Sequence, residues 1–273
     1  MGVLPPTSVN TFFNLLFWVF FLVGFYVYVA LARQLSSRVP IEGDPGETRT
    51  FGLPEAVIAL ILITFLLLNA VASFHAQSTT LNSHDLAANI VLTVVVLVVL
   101  AGFLELRRIN VEKLAGFSRH GIVRSVFTGA LLLLAAYPLI SAADGFMRIF
   151  SDEGSSKQNI VELFNGSRTM SQRAMIIVLA VAIAPIAEEF VFRFFLYGVM
   201  RRYIGRFGGL IFTSLLFAAV HAHLPSFVPL FVLAVCFTIA YEWSGSILVS
   251  MTMHSLFNSL SLIFLAFPQL SDQ

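Results

Sequence analysis

The chain has 273 residues, of which 58% are hydrophobic and 11% are charged. A soluble globular domain carries about 25% charged residues, so this composition is typical of an integral membrane protein. Sixteen Lys and Arg against fifteen Asp and Glu leave a net charge of +1, which excludes a nucleic-acid-binding protein that works through a basic face. The one cysteine, Cys236, excludes an intramolecular disulfide framework.

Long stretches without charge predict an all-α, polytopic bundle of membrane helices. A helix needs about 20 apolar residues to cross a bilayer, and these runs lack the alternation of barrel strands. The uncharged run 207–241 is too long for one crossing, and Pro225 and Pro229 divide it. We therefore predict about eight spans. They lie at 11–32, 54–74, 86–106, 124–147, 173–199, 207–223, 227–242 and 246–267.

Basic residues predict the orientation of these spans. The loops after spans one, three and five must lie on one side, and they hold eleven of the sixteen Lys and Arg. The basic side of a membrane protein is usually cytoplasmic, so we predict that both termini lie outside. The eleven residues are Arg33, Arg38, Arg49, Arg107, Arg108, Lys113, Arg119, Arg124, Arg201, Arg202 and Arg206.

Three ionisable residues in span five indicate a functional site. Each costs roughly 2.5–3.5 kcal/mol near the bilayer centre, so such groups face the bundle interior and find partners. Glu189 and Arg193 are four residues apart with the acid first, the favourable order for a helical ion pair. Glu188 points about 100° away from Glu189 and has no partner on its own helix. A buried ion pair that locks helices together is the structural alternative for Glu189 and Arg193.

Polar residues in spans six and eight reach a similar depth. Counting 1.5 Å per residue from the Arg-rich side places Glu188 about 20 Å deep and His221 about 22 Å deep. His254 and Asn258, which share one helix face, lie about 12 and 18 Å deep. A lone histidine often bonds two helices together, but three polar sets on three helices suggest a hydrolytic site in an intramembrane cavity. A carboxylate beside a histidine can activate water, and a His–Asn pair can stabilise an oxyanion.

These residues form three ordered motifs, Glu188-Glu189-x-x-x-Arg193, Phe217-x-x-x-His221 and His254-x-x-x-Asn258. Together they resemble the motifs of the CAAX-protease and bacteriocin-processing (Abi) family, the type II CAAX prenyl endopeptidases that include the Ras-converting enzyme. The resemblance covers about residues 174–260. It divides the chain into 1–170, with helices one to four, and 171–273, a catalytic core of four helices.

The resemblance implies a glutamate-dependent intramembrane endopeptidase with a cavity open to the cytosol. Its substrate would be a membrane-associated protein or peptide, and a prenylated CAAX protein is one such substrate. By this likeness Glu188 activates water with help from His221, and Arg193 holds Glu189. His254 and Asn258 would form the oxyanion hole, and Phe217 would belong to the supporting residues.

The sequence leaves alternatives for the cofactor and for the class of function. The family is commonly labelled metalloprotease, but the chain lacks the helical His-Glu-x-x-His zinc pattern. Glu188, His221 and His254 could bind zinc, although we favour chemistry without a cofactor. An inactive membrane binding or chaperone protein and a proton-coupled transporter are the other function classes. The expected partners are the lipid bilayer and a membrane-anchored substrate. The expected location is the plasma membrane in a prokaryote or the endoplasmic reticulum membrane in a eukaryote.

Overall fold

A computed structural model describes residues 6–37, 51–75, 83–117, 119, 121–150 and 169–267. Within these ranges the protein is all helical and has no strand, which confirms the predicted fold class. Most of the two predicted linkers, 36–54 and 150–172, lies outside the described residues. The helices are α1 (Pro6–Ser37), α2 (Leu53–His75), α3 (Ser83–Leu106), α4 (Val111–Ala115), α5 (Ile122–Arg148), α6 (Met170–Val220), α7 (Phe227–Ser244) and α8 (Ile247–Ala266).

Six of the described helical stretches are long and apolar enough to cross a membrane. One of them, α6, has 51 residues and would measure about 77 Å if it were straight, more than twice a bilayer core. Gly205 breaks it with φ 75° and ψ 172°, a conformation that suits a residue without a Cβ. The two arms of α6, 170–204 and 206–220, are therefore separate helices. With the two arms of α6 counted separately and the shorter apolar helix Ile90–Leu106 added, the described residues form a helix at each of the eight predicted positions.

The basic loops meet at one end of the bundle, which we call the Arg-rich end. Arg201 and Arg206, on either side of the break in α6, bind the Glu242 carboxylate of α7 at 2.8 and 3.0 Å. Arg206 also donates to the backbone carbonyl of Leu35 at the end of α1. The loops after spans one and five therefore share this end, as the order of the spans predicts. Which side of the membrane it faces stays a prediction.

Helix α5 lies at the centre of the bundle and packs against α1, α7 and α8. Small residues allow these close approaches: a Cβ on Gly129 would come within 2.8 Å of the Val249 carbonyl oxygen of α8. Similarly, a Cβ on Gly24 of α1 would collide with the Ala135 carbonyl of α5. Small residues at such contacts are typical of membrane helices, whose association depends on packing rather than on the hydrophobic effect. The predicted division at residue 170 stays a prediction, and α5 packs directly against the C-terminal helices.

Candidate active site

The two glutamates lie on a short α-helical segment between two π-helical segments of α6. The segment Ala184–Glu189 carries them, and Leu179–Ile183 and Phe190–Leu196 flank it. A π turn is rare and is frequently found at functional sites. Sequence reasoning predicted a regular helix here and missed both π segments.

Pro185 and the first π turn leave backbone carbonyl groups without their helical partners. In an α-helix the Ala180 carbonyl would accept from the N–H of Ala184, but that N–H bonds to Leu179 instead. The next N–H that Ala180 could use is missing, because residue 185 is proline. Pro185 also removes the usual donor for Val181. Both carbonyls therefore need donors from outside α6.

Two side chains of α8 provide these donors. The Asn258 side-chain amide donates to the Ala180 carbonyl at 2.8 Å, and the Ser255 hydroxyl donates to the Val181 carbonyl at 2.6 Å. This contact fixes α8 against the turn that precedes the glutamates. Sequence reasoning missed Ser255. Pro185 was the available signal, because a proline inside a helix leaves a backbone carbonyl that needs a donor from another helix.

Glu189 and Arg193 form the predicted ion pair inside the bundle. An Arg193 terminal nitrogen lies 3.1 Å from Glu189 Oε1, and the two side chains are 2% and 0% exposed. The guanidinium carbon also lies 4.4 Å from the centre of the Phe217 ring and 5.2 Å from that of Phe237. Such cation–π contacts stabilise a desolvated cation by about 2 kcal/mol. Phe237 was not predicted, because nothing distinguishes it from the other aromatic residues in its apolar run.

The His254 imidazole lies between the two glutamates. Its Nδ1 is 2.9 Å from Glu189 Oε1, which is hydrogen-bonding distance, and its Nε2 is 3.8 Å from Glu188 Oε2. Glu188 Oε2 has no hydrogen-bond partner among the described residues, and the Glu188 side chain is 31% exposed. Glu188 is therefore the accessible carboxylate of the site, and Glu189 is the enclosed one.

His221 lies beside this cluster rather than next to Glu188. It directly follows the last residue of α6, so the helix predicted for 207–223 ends earlier than expected. Its Nδ1 donates to the Phe217 carbonyl at 2.7 Å, and the ring centres of His221 and Phe217 are 4.7 Å apart. The Phe217 ring in turn contacts His254, at a centre-to-centre distance of 6.0 Å.

Two of the predicted roles differ from this geometry. The imidazole that faces Glu188 belongs to His254, whereas the resemblance implies His221 as the partner of Glu188. Both nitrogens of His254 face carboxylates, so His254 is not placed to form an oxyanion hole with Asn258. The resemblance implies these roles from motif positions, and the depth of a side chain does not determine which side of its helix it faces.

The residues of the alternative zinc site do not form a three-ligand set. Among the described residues, no three His, Cys, Asp or Glu side chains gather closely enough to hold a metal ion. His254 already directs one nitrogen at Glu189 and the other at Glu188. His221 packs against the Phe217 ring and bonds the Phe217 carbonyl. Because these side chains do not fit a zinc ion as they are arranged, no step of the chemistry below uses one.

One of the comparisons with known proteins matches the C-terminal region. No curated protein and no solved structure matches the chain. The family model for the type II CAAX prenyl endopeptidases, Rce1-like, matches residues 170–260. This range contains both π segments and every predicted site residue from Glu188 to Asn258. The match confirms the resemblance predicted from the three motifs: residues 170–260 are similar to the type II CAAX prenyl endopeptidases, which are intramembrane proteases.

Proposed function

We propose that this protein is an intramembrane endopeptidase in which Glu188 activates a water molecule for attack on a peptide bond. The observation that carries this proposal is the position of Glu188 Oε2. This oxygen is buried and has no hydrogen-bond partner among the described residues, and it lies 3.8 Å from His254 Nε2, whereas the Glu188 side chain as a whole is 31% exposed. An unpaired carboxylate inside a membrane bundle is costly, and such residues usually have a functional role.

The contact with Glu189 determines which nitrogen of His254 carries the proton. An ionised carboxylate only accepts hydrogen bonds, and Arg193 stabilises the ionised form of Glu189. Nδ1 of His254 therefore donates its N–H to Glu189, and the neutral ring has its lone pair on Nε2. This lone pair faces Glu188 Oε2, so two acceptors point at the same space.

Two acceptors 3.8 Å apart can hold one water molecule between them. A water oxygen about 2.8 Å from each acceptor can donate one hydrogen to Glu188 and the other to His254. Its lone pairs then face away from the protein, towards a bound peptide carbonyl. As the water oxygen bonds to the carbonyl carbon, Glu188 takes the proton and later delivers it to the leaving amine as the C–N bond breaks.

Asn258 and His221 have supporting roles in this proposal. The Asn258 amide carries two hydrogens, and only one is used by the Ala180 carbonyl, so the second can face the oxyanion. His221 uses Nδ1 to hold the Phe217 carbonyl, which leaves Nε2 for proton transfer at the edge of the site. His254 holds the water and orients it, and it replaces His221 as the partner of Glu188.

The family supports a membrane-associated protein as the substrate, and a prenylated CAAX protein is the specific class that we propose. The test uses the purified full chain in lipid nanodiscs with a prenylated peptide that ends in a C-a-a-X sequence, in water labelled with heavy oxygen. We expect two products, with the label in the new carboxylate. Peptide binding without cleavage would support an inactive binding protein, and proton flux into liposomes without cleavage would support a transporter. Either result would overturn the proposal.

A further inference from the structure

A cavity at the Arg-rich end lies outside the proposed catalytic site. It measures about 340 Å³ and opens between the N-terminal arm of α6, the end of α7 and the start of α2. Arg201 lies thirteen residues after Glu188, about 20 Å along the helix. The cavity therefore has no role in the chemistry proposed above. Aromatic rings and two guanidinium groups line most of it: Phe51, Phe194, Tyr197, Tyr241, Arg201 and Arg202.

Among the described residues around this cavity, positive charge is in excess. Glu242 lies in its wall with its side chain 7% exposed, and it binds both Arg201 and Arg206. Arg202 is the second arginine in the lining, so the described residues place three guanidinium groups, those of Arg201, Arg202 and Arg206, around one carboxylate. The Arg201 side chain is 43% exposed despite its contact with Glu242, and a guanidinium has five N–H donors. Among these four described residues the net charge is about +2, which favours an anionic ligand.

The Tyr197 hydroxyl is a second feature that suits an anion. Tyr197 is 1% exposed, and its hydroxyl forms no hydrogen bond of normal geometry with the described residues, although the Glu242 carboxylate is nearby. A buried hydroxyl without a partner is uncommon in native structures. Because Tyr197 lines the cavity, a phosphate oxygen bound there could accept its hydrogen.

The tail of the substrate does not explain these features. In a C-a-a-X substrate three residues follow the prenylated cysteine, and they span about 10 Å at most, roughly half the distance from Glu188 to Arg201. Basic pockets between membrane helices on the cytoplasmic side bind the headgroups of anionic lipids, and this end is the one predicted to be cytoplasmic. We propose that the cavity binds the phosphate headgroup of an anionic phospholipid, with the aromatic rings against its glycerol and first acyl carbons.

The test measures lipid binding by the purified, delipidated full chain in a neutral detergent. Short-chain phosphatidylglycerol, short-chain phosphatidylcholine and inorganic phosphate are added separately. Thermal unfolding and native mass spectrometry then report stabilisation and retained lipid. We expect phosphatidylglycerol alone to raise the unfolding temperature and to remain bound at one molecule per chain. An equal effect of phosphatidylcholine would show that the cavity does not recognise the charge, and an equal effect of inorganic phosphate would show a site for a soluble anion. Both results would overturn the proposal.

Matched variants locate the binding site. We expect Arg202→Gln to weaken phosphatidylglycerol binding about fivefold, the factor for losing one basic contact to an anionic lipid. Tyr197→Phe should weaken it roughly tenfold through one lost hydrogen bond to a charged group, without lowering the stability of the lipid-free protein. The controls Arg124→Gln and Tyr203→Phe change exposed residues that do not line the cavity, and they should bind as the wild type does. If Arg202→Gln does not fold, Tyr197→Phe decides alone, and unchanged binding by it would overturn the proposal.

Discussion

The replacement Arg193→Met tests the enclosed ion pair that supports the site. It removes the partner of Glu189, whose side chain is 0% exposed, and it keeps most of the packing volume against Phe217 and Phe237. Removing one member of a buried pair costs about 3–5 kcal/mol in soluble proteins, because the other charge stays buried without compensation. For a chain of this size that corresponds to roughly 6–20 °C in the unfolding temperature.

The control for this prediction is Arg148→Met. Arg148 pairs with Asp144 at the same spacing, four residues apart, with an N–O distance of 2.9 Å, but its side chain is 62% exposed. An exposed pair contributes about 0–1 kcal/mol, so this variant should unfold within a few degrees of the wild type.

The assay is thermal unfolding of the purified variants in one detergent, followed by intrinsic fluorescence. The double variant Glu189→Gln with Arg193→Met removes both charges, and it should recover at least half of the lost stability. This recovery separates a stranded charge from a simple packing defect. If Arg193→Met lost no more stability than Arg148→Met, the reasoning about an enclosed ion pair would be refuted. A double variant that is no more stable than Arg193→Met would refute it as well.

Three further predictions concern the residues around Glu188. Asn258→Ala should destabilise the protein by about 1–3 kcal/mol, because it leaves the buried Ala180 carbonyl without a donor; an unchanged unfolding temperature would contradict this. His254→Ala should slow cleavage about a hundredfold and more than His221→Ala does, because His254 faces Glu188; the reverse order in a single-turnover assay would restore His221 as its partner. Purified active protein should contain less than about a tenth of an equivalent of zinc and keep its activity after chelation and desalting, whereas stoichiometric zinc whose return restores activity would contradict the cofactor-free proposal.

The spans were predictable because the membrane imposes a simple rule on composition. A helix that faces lipid excludes charge over about 20 residues, so the ends of the uncharged runs mark the ends of the helices. Structure and prediction therefore agree for α2, predicted at 54–74 and observed at Leu53–His75. The break between spans five and six was also predicted. The helix breaks at Gly205, which has a positive φ. The basic residues around it indicate a loop, but they do not indicate this backbone conformation.

The partners within the site were harder to predict from sequence. Helical spacing gave the Glu189–Arg193 pair, because both residues lie on one helix and their relative direction follows from its periodicity. The contact of His254 with both glutamates joins two helices, and it depends on how α8 is rotated against α6. The π segments add to the difficulty, because they change the direction in which each later side chain of α6 points.

Replacing Glu188 by glutamine tests the central claim most directly. The substitution keeps the size of the side chain, but an amide cannot take a proton from water. The control Glu112→Gln makes the same change at an exposed carboxylate of α4. Cleavage of the prenylated peptide is measured under single-turnover conditions, and thermal unfolding confirms that both variants are folded. The account predicts that Glu188→Gln lowers the rate by about a thousandfold and that Glu112→Gln leaves it unchanged. A folded Glu188→Gln protein that retains more than about a tenth of the wild-type rate would contradict the role of Glu188 as the base.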